Sequence, residues 1–129
     1  MRLAPPRLEL ADDDAVSTAR IETGSGEVFD LSIRVDRAYV GALDVGSTPF
    51  LPIAAVAAAN MDEDLWVEDP VSPAVVAGCE HVTRVFADWW GSRPITVTAP
   101  TAEPGFPSGP GHALFFTRGV DSTFSLLRS

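Results

Sequence analysis

The sequence predicts an α+β fold: a small β-hairpin and sheet domain with two packed helices, followed by a Pro/Gly linker and one strand-loop-helix unit. Three observations carry this expectation. After the turn Gly24-Ser25-Gly26, Val28, Asp30, Ser32 and Arg34 alternate with Phe29, Leu31, Ile33 and Val35, the pattern of a hairpin with one buried face. Val75, Cys79, Val82, Phe86 and Trp89 recur at spacings of three and four, which is helical. Four prolines and three glycines crowd residues 100–111, a composition that does not pack regularly. The expected organisation is an α+β domain over 1–98, a linker over 99–111 and the terminal unit over 112–129.

Taken in order, residues 6–10 and 15–23 are short strands flanking Asp12, Asp13 and Asp14. The second of these enters the hairpin. Ser47 or Thr48 is expected to cap a helix that Pro49 or Pro52 starts and that runs through LPIAAVAAAN to Asn60. That helix is nearly apolar all round, so burial on every side is expected. A short strand follows at Leu65–Val67. Ser72 suits an N-cap and Pro73 a first helical position, so the second helix starts there, places its apolar stripe on the sheet and ends at Gly91. Residues 95–98, ITVT, read as a strand.

At 129 residues and 46% hydrophobic, the chain can bury one real core and has no room for a second full domain. Its nine basic residues are all arginine, scattered without a patch, against eighteen acidic ones. The resulting net charge of -9 repels nucleic acid and anionic membrane surfaces. Cys79 is the single cysteine, which excludes an intrachain disulfide and a cysteine-based zinc site. Met1–Leu10 lacks the apolar core of a signal peptide, and no run is long enough to span a membrane, so the expected location is the cytoplasm.

Asp62, Glu63, Asp64, Glu68 and Asp69 offer hard oxygens for a divalent cation, but without the glycine and spacing of a calcium loop they read as a solvated acidic turn. The Asp12–Asp14 run reads the same way. Cys79, Glu80 and His81 are adjacent on a helix and diverge by about 100° per residue, so they do not form a nucleophile and base pair. Trp66, Trp89 and Trp90 are expected to pack ordinarily, with one at the rim.

Ala113–Phe116 is a short apolar strand, Thr117–Ser122 a tight turn, and TFSLLR the start of a helix turning Phe124, Leu126 and Leu127 inward. Strand, hydroxyl-rich turn and helix N-terminus form a phosphate cradle, because free backbone N–H groups and the helix dipole favour an anion. Thr117-Arg118-Gly119-Val120-Asp121-Ser122, preceded by Leu114-Phe115-Phe116, resembles the Ser-Gly-Gly-x-Asp-Ser loop of the PP-loop ATP pyrophosphatases. This adenine-nucleotide α-hydrolase-like superfamily includes asparagine synthetase and 7-cyano-7-deazaguanine synthase. The resemblance implies that the loop binds the pyrophosphate of ATP with Mg²⁺ while an adenylate forms. It further implies that Thr117 and Ser122 supply hydroxyls, Gly119 allows close backbone approach and Asp121 lies near the metal.

Two positions depart from the pattern. Thr117 keeps a hydroxyl. Arg118 puts a side chain where the family has none: a positive φ there costs about 1 kcal/mol or more, while its guanidinium could join the phosphate site. Thr48-Pro49-Phe50-Leu51 and Val71-Ser72-Pro73 are also similar to "DPFL" and "V-S-P" segments that precede such loops in larger bacterial proteins. A PP-loop domain requires several further βα units, roughly 150 residues. The expectation is therefore an N-terminal fragment or truncated form, not catalytic alone, whose terminal unit docks on the first domain or is completed by a second copy or another chain. The alternatives are a small acidic, non-catalytic interaction module and a chance turn.

Overall fold

A computed structural model describes residues 1–102. The order of elements is β1 (Arg2–Leu3), β2 (Arg7–Leu10), β3 (Asp14–Glu22), β4 (Val28–Asp36), a 3₁₀ helix (Arg37–Ala42), α1 (Leu51–Asn60), β5 (Leu65–Val67), α2 (Pro73–Trp90) and β6 (Val97–Thr98). The six strands make one mixed sheet beneath the helices, an α+β domain.

The long hairpin β3–β4 forms as the alternation requires. Ala15, Ser17, Ala19 and Ile21 lie opposite Val35, Ile33, Leu31 and Phe29, all on the face turned to the core. Gly26 closes the turn at φ 85°, a left-handed conformation that suits glycine. The other face is polar, with Thr18 hydrogen-bonded to Ser32 at 3.0 Å and Arg20 paired with Asp30 at 3.2 Å.

The opposite edge of β3 is covered by a strand in two pieces. Leu3 faces Ile21 and Arg7 faces Thr18, so four steps along one strand answer three along the other. Ala4-Pro5-Pro6 makes this bulge, since neither proline has an N–H for the ladder. β1 carries no alternation of its own, being only two residues long, and is absent from the sequence-based elements. It nevertheless lies at the centre, antiparallel to β3 and parallel to β5, with β6 parallel to β5 beyond it.

α2 is the crossover between parallel strands β5 and β6 and lies beside α1. Gly91 ends it at φ 70°, accepting the left-handed stop predicted for it. Ser72 occupies the N-cap position, but its side chain makes no capping bond.

The start of α1 corrects the expected cap. Phe50 takes the N-cap position without a side-chain bond. Ser47 instead receives the first N–H groups on its backbone carbonyl, from Phe50 and Leu51 at 3.1 Å, and Thr48 turns its hydroxyl to Ser72 of the neighbouring helix. The helix stops at Asn60, as expected, but the left-handed residue is Asp62, at φ 55°. Glu63 N–H bonds Ala58 O at 3.0 Å and Asp62 N–H bonds Ala59 O at 3.3 Å, a Schellman closure.

The core is one cluster centred on Leu3, Ile21, Phe50, Leu51, Leu65, Val67 and Val71, with Ala54, Ala55, Ala58 and Ala59 of α1 pressed into it. Short alanine side chains let the helix sit close to the sheet, which loses few dispersion contacts as a result. The chain remains attached past Thr98: Thr101 bridges to Val71, and Ala102 N–H bonds Val71 O at 3.0 Å. Most of the expected linker, and the whole unit 112–129, lie outside the described residues.

Candidate functional site

α1 was expected to be buried on every side, and it is not. Only Leu51, Ala54, Ala55, Ala58 and Ala59 are buried, whereas Ile53 is 53% and Val56 43% exposed. The reason is the thinness of the domain. Two layers give each helix one covered face, so an all-apolar helix leaves its remaining apolar side chains in solvent.

α2 shows the same outcome. Cys79 and Thr83 are its buried residues, and the predicted stripe runs off the covered face, with Val82 half-exposed and Trp89 70% exposed. Trp90 is 68% exposed and meets Phe86 edge to face at a centroid distance of 4.8 Å. This corrects the expectation that the tryptophans pack ordinarily. Nor do the three form one platform: Trp66 alternates with buried Leu65 and Val67, which puts it on the sheet face away from the helices.

Ile53, Val56, Val82, Phe86 and Trp90 line an open groove between α1 and α2. Its larger part, ≈ 820 Å³, is walled by Ile53, Val56, Ala57, Phe86 and Trp90. An adjoining ≈ 280 Å³ continues along Val75, Gly78, Cys79, Val82 and Thr83, sharing Pro52 and Val56 with the first. Among the described residues no charged side chain lines either part. An apolar surface of this kind suits contact with another apolar surface.

Cys79 lies against the groove floor, where burial and the Glu80 charge push its thiol pKa upward. Glu80 accepts the Val97 N–H at 3.2 Å, and His81 is exposed. Asp12 and Asp13 are exposed at a turn, stapled by Arg37, which donates to Ala11 O at 2.7 Å.

The Asp62–Asp64 stretch is more than a solvated turn. Both Glu63 oxygens accept the Gly24 N–H, at 2.9 and 2.8 Å, and the Met1 ammonium lies 2.7 Å from Oε2. The ammonium and the Gly24 N–H hold the Glu63 carboxyl below its usual range. Asp64 accepts from Thr96 N–H at 2.9 Å and from Arg93 at 2.8 Å, which lowers its pKa likewise. Among the described residues no three such groups converge as a metal site would need.

Thr117, Arg118, Gly119, Val120, Asp121 and Ser122, the residues of the loop resemblance, lie outside the described residues, as does the Mg²⁺ assignment to Asp121. No protein-family model, curated protein or solved structure matches this chain. Among the described residues no helix is long and apolar enough to cross a membrane. The groove is thus the site that geometry supplies, and periodicity alone did not disclose it. An alanine-rich helix apolar on all sides carries no signal for which side stays open.

Proposed function

We propose that this chain is a PP-loop ATP pyrophosphatase-like, cytoplasmic protein in which the α+β domain is a non-catalytic platform and the loop Thr117–Ser122 takes the pyrophosphate of ATP. The observation that carries the reading is the sequence Thr117-Arg118-Gly119-Val120-Asp121-Ser122 between two apolar segments. Its donor set suits the ligand: the Asp121 carboxylate is a hard oxygen donor of the kind Mg²⁺ prefers, and two hydroxyls and the Arg118 guanidinium can bond phosphate oxygens. Bound Mg²⁺ would neutralise phosphate charge; Gly119 would let the backbone approach. In this reading adenylate formation needs the further βα units of a PP-loop domain, which a longer or assembled form would supply.

Calorimetric titration of the full chain with Mg²⁺-ATP and with pyrophosphate tests this. Binding that is lost in Asp121→Ala and weakened in Arg118→Ala supports the reading. Binding indifferent to both substitutions, or none to the parent chain, sinks it.

A second reading is favoured by a different observation, the uncharged groove between α1 and α2. On it the chain is an acidic, non-catalytic interaction module whose partner buries Ile53, Val56 and Trp90. A dimer or heterocomplex lost on Ile53→Asp, with nucleotide binding absent throughout, is its signature.

A further inference from the structure

We infer that the α1–α2 groove is the seat of this chain's own apolar segments, Leu114–Phe116 and Phe124–Leu127. The inference rests on the groove and the sequence, and holds whether or not the loop between the two segments binds nucleotide.

Four observations point to this occupant. Among the described residues the groove is lined without charge, and the two segments are the uncharged apolar runs that follow the domain: Leu114, Phe115 and Phe116, then Phe124, Leu126 and Leu127. The chain leaves the domain beside the groove, because Ala102 N–H is bound to Val71 O at 3.0 Å, at the head of α2. From Ala102 to Leu114 a proline-rich chain spans up to about 37 Å. The groove wall from Val75 to Trp90 is only about 23 Å long. Finally, β6 offers no free N–H at Val97 for an added strand, since the Glu80 carboxylate already takes it at 3.2 Å.

Tethering decides between this occupant and a second copy. A segment on a short linker meets its groove at an effective concentration on the order of millimolar. A separate molecule at micromolar concentration is out-competed by the same contacts. Seating both apolar runs would cover Trp90.

Disulfide trapping in the full chain tests the placement. With Cys79→Ser, two cysteines are introduced, Val82→Cys on the half-exposed groove wall and Phe115→Cys in the segment. The expected product is an intrachain disulfide, a monomer lighter by two hydrogens at every protein concentration. Adding Leu126→Asp and Leu127→Asp should slow its formation roughly tenfold or more, since each buried leucine is worth about a decade in equilibrium. Two results overturn the inference: a disulfide that joins two chains in proportion to concentration, which assigns the groove to a second copy, or thiols oxidised at the same rate with and without the aspartates. No nucleotide is present in the assay, so its failure is distinct from failure of the nucleotide-binding reading.

Discussion

The hydroxyl of Thr48 accepts the backbone N–H of Ser72 at 3.2 Å, so a residue at the entry of α1 completes the hydrogen bonding at the entry of α2. Ser72 is buried, and its N–H has no other acceptor among the described residues. Thr48→Val keeps the shape and removes the acceptor. It should cost about 1–3 kcal/mol, the penalty of an orphaned buried donor, while Thr48→Ser retains most of the stability. Ser72→Ala, at a formal N-cap whose side chain caps nothing, should fall well short of the usual cost of about 1 kcal/mol. Urea midpoints of the three variants check the ranking, and equal losses for Thr48→Val and Thr48→Ser would refute it.

Asp62 holds a left-handed conformation at φ 55° to close α1, and its side chain makes no hydrogen bond among the described residues. Its backbone carbonyl, not its carboxylate, receives Arg93 at 2.8 Å. Glycine accepts that conformation without the Cβ penalty, so Asp62→Gly should be neutral or stabilising by up to about 1 kcal/mol. Gly91→Ala, at φ 70°, should destabilise by a similar amount. Thermal unfolding of both distinguishes them by sign, and a destabilised Asp62→Gly would show that the aspartate contributes something beyond its backbone.

Glu63 and Asp64 both have carboxyl groups held below their ordinary range, Glu63 by the Met1 ammonium and Gly24 N–H, Asp64 by Thr96 N–H and Arg93. The folded chain therefore binds fewer protons than the unfolded one as the medium is acidified. Their contribution is full above the usual carboxylate range and is lost as the pH falls through the lowered folded values. The Asp64 side chain is 56% exposed and that of Glu63 23%, so solvent screening keeps the effect modest. Urea midpoints from pH 7 to 3 should decline less steeply in Glu63→Gln/Asp64→Asn; an unchanged decline would place the acid sensitivity elsewhere.

Phe50 is fully buried and Trp89 is 70% exposed, although the sequence presents both as large apolar residues. Phe50→Ala should cost about 3–5 kcal/mol and unfold much of the population. Trp89→Ala should stay within about 0.5 kcal/mol. Denaturant titration of each variant separates the two; a large loss at Trp89 would mean that side chain is covered in the full chain.

Ser17 lies on the core face of β3 between Ala15 and Ala19, and its hydroxyl has no partner among the described residues. Ser17→Ala should leave stability unchanged or raise it by up to about 1 kcal/mol, because a desolvated hydroxyl is removed at little cost in packing. A lower unfolding midpoint would reveal a bond the hydroxyl makes.

The sequence by itself determined the elements whose signal is local. The alternation from Phe29 to Val35 set which face of β4 is inward, the Gly24–Gly26 turn set the hairpin, and Ser72-Pro73 and Gly91 set both ends of α2. Such signals survive because periodicity and turn chemistry act within a few residues. Tertiary structure decided what depends on partners far away in the chain. Arg2–Leu3 is a strand only because β3 and β5 flank it, and Thr48 caps the other helix only because α1 and α2 lie side by side. It also decided the groove. Hydrophobicity states that Ile53, Val56 and Trp90 prefer to leave water, but a two-layer domain covers one face of each helix, and only the packed arrangement fixes which apolar residues remain outside.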